Sequence, residues 1–344
     1  MDLYSIPGDT GKSWRLNKFV EYQHEVPSIH YRVLGEYIKK HNLSLDDAVM
    51  MCWYMSCTYN EVTCILLNKV FNWRKLTPES LKSYCHKFWG VWKNSLDFGS
   101  SRMYAKNMDW FPELMIEFLK ATHKKPYKWL TGIIKAQLYI SPESSYEAIC
   151  KRLEEFDFVG RFARDLFMES IMYLKDYLNL DLVEPSKLDW NRCSNLTSGV
   201  LNIAYKDEEA NLFDKLGKLP KGITEDQLTR YLARIQTRIH EVYPEQADDI
   251  NLFVGKICSF RNLFKASRYG GFHHDRELGV LKAYEKIFPE YQDLWDDVYA
   301  LRKVMFPERF LGELHGWSGI RPERKKLWLR KGLTGVEPEI FDKC

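Results

Sequence analysis

Glycine and proline are scarce in this sequence. Its 344 residues include 19 glycines and 13 prolines, about 9% of the chain, whereas an average protein has about 12%. Strand alternation and Asn-Gly hairpin signals are lacking as well, and both are typical of β folds. The scarcity of turn residues therefore predicts a helical protein.

The sequence also lacks a membrane-spanning run, a secretion signal and paired cysteines. No apolar run approaches the roughly 18 residues that cross a bilayer. Residues 1–12 have neither the basic start nor the apolar core of a signal peptide. The 8 cysteines form no C-x-x-C pair. These absences predict a cytoplasmic protein with reduced thiols, no membrane contact and no structural zinc site.

Charge of one sign does not dominate the chain as a whole. Its 50 Lys and Arg residues nearly balance 47 Asp and Glu residues, for a net charge of +3, which by itself argues against binding nucleic acid. Four segments are nevertheless strongly basic: 69–93, 118–142, 256–276 and 321–331. Aromatic residues, 15% of the chain, interleave with these cations. Such surfaces suit phosphates and stacked bases. The alternative is solvated helix faces over an aromatic core, and the four segments together favour a nucleic-acid groove.

Helix start signals occur along most of the chain. Residues typical of N-caps precede apolar-periodic segments at Ser44, Thr77, Ser141 and Thr224. The stretch from Asp47 to Phe71 is apolar nearly all round, which predicts a helix buried in a core. We therefore predict an all-α fold in one large helical domain over 1–344. Proline and glycine concentrate at 185–222, where we expect a subdomain break or a long functional loop.

The segment 156–169 predicts a helical hairpin. A turn ending in Gly160 and a helix starting at Arg161 are typical of the second half of a helix-hairpin-helix, in which N–H groups at a helix start contact a DNA phosphate. A plain helical hairpin gives the same pattern, so both interpretations stay open. Glu169 follows on the same helix among apolar neighbours. Such a carboxylate is paired with an arginine or acts as a general base with a raised pKa.

Two further clusters of polar residues stand out. Tyr59, Asn60 and Thr63 fall in the middle of the apolar stretch, where their polar groups must bond within the protein or to a substrate base. Asp189, Trp190 and Ser198 place an acid, an aromatic ring and a Ser-Gly turn in the loop after the hairpin. Asp189 is either a catalytic candidate or only a helix cap.

The segment 256–276 ends in a cluster of cations. Lys265, Arg268 and Arg276 suit a pyrophosphate or DNA phosphates, with Tyr269, His273, His274 and Asp275 beside them. A His-His-Asp run also raises the question of a metal. Adjacent histidines on one short segment rarely both bind one ion, so we assign no metal ligand.

The order of these motifs resembles the α-glutamyl/putrescinyl thymine pyrophosphorylase superfamily, which includes the phage amino acid:DNA transferases. In chain order they are a Tyr-Asn-x-x-Thr helix, a Val-Gly-Arg-Phe-x-Ala hairpin, an Asp-Trp with a Ser-Gly turn, and Arg-Tyr-Gly-Gly-Phe-x-x-Asp-Arg. The resemblance covers roughly 48–276 and leaves 1–45 and 290–344 as helical extensions. A predicted helix with Cys258 and Arg261 precedes the last of these motifs. The family often has an acid about four residues before this cysteine, and Val254 stands there instead.

The resemblance implies a helical fold akin to helix-hairpin-helix DNA glycosylases. It also implies a phage-encoded transferase, acting in the cytoplasm of a bacterial host on double-stranded DNA that carries modified thymine. In the implied reaction, an amine from an amino acid such as glycine or glutamate, or from putrescine, displaces (pyro)phosphate from 5-(pyro)phosphomethyl-deoxyuridine. No cofactor is implied, and assistance by Mg²⁺ is left open.

The implied reaction gives roles to the residues named above. A carboxylate, Glu169 or Asp189, takes the proton of the amine. The amide of Asn60 reads the uracil edge, and Lys265, Arg268 and Arg276 hold the departing pyrophosphate. The remaining substrate and DNA contacts fall to Tyr59, Thr63, Gly160, Arg161, Trp190, Ser198, Tyr269, His273 and Asp275.

Two other functions fit the same residues. A DNA glycosylase of the helix-hairpin-helix kind would use Asp181 or Asp189 beyond the hairpin. It would not be a lyase, because Phe162 stands where bifunctional glycosylases have a lysine. A non-catalytic DNA-binding helical module would bind with a steep salt dependence and leave the bases unchanged.

Overall fold

A computed structural model describes residues 16–17, 19–20, 31–98, 102–157, 159–183, 187–205, 207–242, 257, 260 and 272–313. Every regular element in these ranges is helical, which confirms the all-α prediction. The helices are α1 Arg32–Lys40, α2 Leu45–Thr58, α3 Glu61–Val70, α4 Pro78–Trp92, α5 Arg102–Ala121, α6 Pro126–Gln137, α7 Pro142–Glu154, α8 Arg161–Tyr173, α9 Ser194–Ala204, α10 Asp207–Leu216, α11 Glu225–Val242, α12 Phe272–Ile287 and α13 Gln292–Met305. Short 3₁₀ turns lie at Trp73–Lys75, Pro289–Tyr291 and Glu308–Phe310. None of the described helices combines the length and apolarity needed to cross a membrane.

The chain divides into two compact units. The hairpin unit comprises Tyr31–Val183 and Val280–Met305, and the second unit comprises Met1–His30, Glu184–Gly279 and Phe306–Cys344. One boundary falls just before residue 185, where the sequence predicts a break. The expectation of one large domain over 1–344 stays a prediction.

Helix α2 forms the centre of the hairpin unit. Every residue from Ala48 to Thr58 is buried, and the helix packs against α3, α5, α6 and α8. The ring of Trp53 stacks on Phe118 with centroids 4.3 Å apart and meets the edges of Phe156 and Phe167. Such aromatic pairs contribute about 0.5–1.5 kcal/mol each beyond the area they bury. An apolar surface on all sides of α2 thus gives a helix enclosed by other helices.

The apolar stretch 47–71 is two helices rather than one, which corrects the sequence prediction. Tyr59 adopts a left-handed backbone with φ of 51° and ends α2. Asn60 then takes an extended conformation and caps α3, accepting a hydrogen bond from the N–H of Thr63 at 2.9 Å. Asparagine is a preferred N-cap because its short amide reaches the orphan N–H groups of the first turn. The polar cluster therefore lies at a corner between helices and not within a helix.

The predicted Ser-Gly turn of the second unit is also helical. Ser198 and Gly199 lie inside α9, which packs against α10 and α11. A Cβ added at Gly199 would lie 1.5 Å from Cγ2 of Ile257. The glycine is therefore required by close packing, not by a turn.

We expect Gly199→Ala to lower the free energy of unfolding by about 1–3 kcal/mol, because the new methyl group overpacks a closed site. Urea titration followed by circular dichroism measures the change. Gly90→Ala is the matched control, because Gly90 is an exposed helical glycine where a Cβ meets nothing within 4 Å. This control should raise stability by up to about 1 kcal/mol. Equal effects of the two substitutions would contradict the packing argument.

Candidate nucleic-acid interface

Helices α7 and α8 form the predicted helical hairpin. Ser141 caps α7 and the segment 155–160 leads into α8, with Gly160 as its N-cap. Gly160 has φ of −77°, so its backbone does not need glycine, and a Cβ there would meet nothing within 4 Å. It is exposed and supplies no side-chain cap, and the first turn of α8 carries no acid. The positive end of the helix dipole is thus presented without a covering side chain at the N-cap.

Three ionisable side chains are buried on α8 behind this helix start. They form the buried triad of Arg164, Asp165 and Glu169, whose exposed fractions are 2%, 4% and 8%. Arg164 pairs with Glu154 at the end of α7 and lies 3.3 Å from Oδ1 of Asp165. Burial acts to lower the pKa of Arg164, but the neighbouring carboxylates raise it above its ordinary value. Arg164 therefore remains charged and ties the two helices of the hairpin together.

Glu169 lies where the sequence predicts a buried carboxylate. It follows Asp165 by four residues and therefore lies on the same face of α8. The flanking residues Met168 and Ser170 are buried with it. Arg161, at the first position of the same helix, is half-buried near the hairpin turn. The role of Glu169 as a base stays a prediction.

Hydrogen bonds within the hairpin unit account for the Tyr59–Asn60–Thr63 cluster. Asn60 is fully buried, and its Nδ2 donates to Oδ1 of Asp97 at 3.3 Å. The Thr63 hydroxyl lies 2.7 Å from the carbonyl oxygen of Asp97 and 2.8 Å from the Tyr284 hydroxyl. The ring of Tyr59 packs edge-on against Phe162, with centroids 5.5 Å apart. Hydrogen bonds within the protein thus satisfy the polar groups of this cluster. For the amide of Asn60 to bind a substrate base, Asn60 would first have to become exposed.

The Asp189–Trp190–Ser198 cluster in the second unit is also engaged in local bonds. Oδ1 of Asp189 accepts the N–H of Asn191 at 2.8 Å, and its carboxylate lies 3.5 Å from Arg192. Trp190 is 1% exposed and donates its indole N–H to Thr229 at 2.9 Å, so its ring offers no open stacking surface. The Ser198 hydroxyl donates to the carbonyl of Ser194. Asp189 therefore stabilises the turn before α9.

The C-terminal cluster is described only in part. Lys265, Arg268 and Tyr269 lie outside the described residues. His273 is half-buried and His274, Asp275 and Arg276 are buried in α12. The ring of His274 packs against Phe306 and Phe310 with centroids 4.6 and 4.7 Å away. Arg276, at 1% exposure, is not on an open surface. Within the described ranges, no group of three or more His, Cys, Asp or Glu side chains is placed to hold a metal ion.

A cleft in the hairpin unit was not predicted from the sequence. It encloses about 750 Å³ between the end of α5, α6, α7 and the segment after α7. We call it the α6–α7 cleft; its lining is Ala121, Thr122, His123, Lys125, Lys128, Trp129, Gly132, Ile133, Ala136, Gln137, Ala148, Arg152, Glu155 and Phe156. None of the predicted site residues is among them. The available signal was the basic segment 118–142, which has five lysines and no acid.

The chain matches no protein-family model, no curated protein and no solved structure. The resemblance to the thymine pyrophosphorylase superfamily therefore rests on the order of the motifs alone.

A carboxyl pair lies beside the hairpin segment. Glu117 on α5 is partly buried, and desolvation is the largest cause that raises its pKa. The nearby charges of Asp157 and Glu113 raise the pKa further, whereas a hydrogen bond from the Asp157 backbone N–H lowers it. The folded state thus favours the protonated form of Glu117 relative to the unfolded chain.

We expect Glu117→Gln to stabilise the protein at pH 7 more than at pH 4. A raised carboxyl pKa gives stability that is fully present below the unfolded value of 4.5 and is lost as the pH rises through the folded value. Glutamine does not ionise, so the variant does not lose this stability as the pH rises. The difference in Tm between variant and wild type should therefore grow from pH 4 to pH 7. Thermal melts at the two pH values measure it.

Glu79→Gln is the control for the sign of this effect. Glu79 is an exposed carboxylate in the first turn of α4, and hydrogen bonds from its own backbone and from Thr77 lower its pKa. Its removal should destabilise the protein at pH 7 and have less effect at low pH. A Glu117→Gln variant that behaved like Glu79→Gln would exclude the raised pKa of Glu117.

Proposed function

We propose that this protein is a DNA base-modifying transferase on a helix-hairpin-helix, glycosylase-like scaffold. It displaces (pyro)phosphate from 5-(pyro)phosphomethyl-deoxyuridine in double-stranded DNA with the amine of an amino acid or polyamine. The observation that carries the proposal is the burial of three ionisable side chains, Arg164, Asp165 and Glu169, on the helix whose start is exposed at Gly160. Burying charged groups costs several kcal/mol each. Such groups cluster at sites where a reactive carboxylate must be held in place.

The reaction requires two operations from the protein. The modified base must leave the duplex stack to reach a buried carboxylate, which requires a firm grip on the neighbouring phosphates. The uncovered N-terminus of α8 supplies N–H groups and a positive dipole for that grip. The second operation is proton removal: as the amine nitrogen bonds to the 5-methylene carbon and the carbon–oxygen bond breaks, the ammonium proton passes to a carboxylate.

Glu169 is the better of the two predicted bases. Asp189 already accepts a backbone N–H in its turn and lies beside Arg192. Glu169 lies on the hairpin helix itself. Pyrophosphate is an activated leaving group, so the proposed reaction needs no cofactor. The motif order further suggests a phage-encoded enzyme that acts in the cytoplasm of its bacterial host.

One incubation distinguishes the proposed transferase from its alternatives. The protein is mixed with DNA that carries pyrophosphorylated hydroxymethyluracil and with a mixture of amino acids and putrescine. The DNA is then digested to nucleosides, and their masses are measured. A transferase yields one nucleoside whose mass has gained an amine and lost pyrophosphate. Release of free base from otherwise unchanged DNA indicates a glycosylase. Salt-dependent binding without any change of the nucleosides indicates a non-catalytic module.

We expect Glu169→Gln to lower the rate of transfer by about 10²–10⁴-fold, the usual contribution of a general base. Circular dichroism should show unchanged helix content. Asp189→Asn should keep most of the activity, because an amide oxygen can still accept the Asn191 N–H. Glu290→Gln, at an exposed position, controls for the loss of one charge. Full activity in Glu169→Gln would remove Glu169 from the mechanism, and loss in Asp189→Asn alone would move the base there.

A further inference from the structure

The α6–α7 cleft has the size of a ligand site. Its volume of about 750 Å³ falls within the roughly 300–1,000 Å³ of small-molecule sites. Small side chains form much of its lining, namely Gly132, Ala136 and Ala148. A Cβ at Gly132 would meet nothing within 4 Å, so the space beside it is open.

Two lysines at the start of α6 give the cleft its charge. Lys125 and Lys128 are exposed, and in the described part of the chain neither forms an ion pair. The neighbouring Lys124 differs, because its ammonium group donates to the carbonyl oxygens of Arg74 and Leu76. It therefore serves as a tether within the hairpin unit. Lys125 and Lys128 remain available to an anion.

The opposite wall carries a weak ion pair. Arg152 lies 3.1 Å from Oε2 of Glu155, and the two side chains are 59% and 53% exposed. A pair this exposed contributes little stability, so an incoming phosphate can compete for Arg152. Glu155 is the only acid of the lining and is already paired. A ligand with an ammonium group would find no unpaired acid in the lining. The cleft therefore favours a ligand with a phosphate over a zwitterion, which carries both charges.

Two half-buried aromatic rings complete the cleft. Trp129 and Phe156 lie nearly parallel at 26°, with centroids 6.3 Å apart, and both line the cleft. Trp129 is fixed from behind by an edge-on contact with Phe118 at 5.9 Å. Rings that are held in this way offer a stacking surface for a planar base.

We propose that the α6–α7 cleft binds a nucleotide, with its base against Trp129 and Phe156 and its phosphate on Lys125, Lys128 and Arg152. The site is independent of the transfer reaction, because none of its residues belongs to the proposed catalytic machinery. The nucleotide has two sources, a free nucleotide or one unit of a DNA strand. Both present the same base and phosphate to the cleft.

Binding of two probes tests the proposal. The first is 5′-fluorescein-labelled (dT)₈, followed by fluorescence anisotropy, and the second is unlabelled dTTP, followed by calorimetry. Gly132→Leu adds a side chain to the cleft lining at an exposed helix position where a Cβ meets nothing within 4 Å, and leucine favours the helix. We expect this variant and the Lys125→Glu/Lys128→Glu double variant to weaken binding of at least one probe about tenfold or more, given the loss of stacking space or of phosphate contacts.

Lys135→Glu is the matched control, since Lys135 is an exposed cation of the same helix outside the cleft lining. It should change binding by less than about twofold, as expected for a screened surface charge. Tight dTTP binding lost in the cleft variants assigns the site to a free nucleotide. Binding of (dT)₈ alone, lost in the same variants, assigns it to a DNA strand. No binding of either probe, or equal losses in Lys135→Glu and Gly132→Leu, would overturn the proposal.

Discussion

From Ala48 to Thr58, helix α2 has no face left for water, because every residue of this stretch is buried. A helix with an apolar surface all round is stable only when other helices enclose it. In the hairpin unit α3, α5, α6 and α8 do so, and Trp53 stacks on Phe118 of α5. Each candidate site of this unit combines one helix of that enclosure, α8 for the hairpin and α6 for the cleft, with α7. The start of α8 gives the hairpin, and the space between α6 and α7 gives the cleft.

The sequence predicts the elements that depend on neighbouring residues. Ser44, Thr77, Ser141 and Thr224 all lie at helix starts and accept a hydrogen bond from an N–H three residues later. The corner at Tyr59 could not be predicted in this way. A left-handed tyrosine is uncommon, and the corner is stabilised by Phe162, Asp97 and Tyr284 from distant parts of the chain. Only the folded chain brings these partners together.

The sequence predicts the burial of some candidate residues but not of others. The sequence correctly places a carboxylate at Glu169 on a buried helix face, because its apolar neighbours recur at helical spacing. It does not indicate that Trp190 is covered or that Ser198 lies within a helix. The α6–α7 cleft was missed because a basic segment alone does not tell which lysines are tethered, as Lys124 is, and which face an open space.

Phe156 connects the cleft with the hairpin. It follows α7 and its ring meets Trp53, Phe118 and Trp129, with centroids 5.7 to 6.3 Å away. The segment that leads into α8 is thus fixed by an apolar contact, while Arg164 fixes the two helices by charge through Glu154. These two contacts, one apolar and one ionic, hold the start of α8 in place. Binding groups that are rigid before a ligand arrives lose less entropy when they bind. A preorganised helix start therefore suits the grip on a DNA phosphate that the proposed reaction requires.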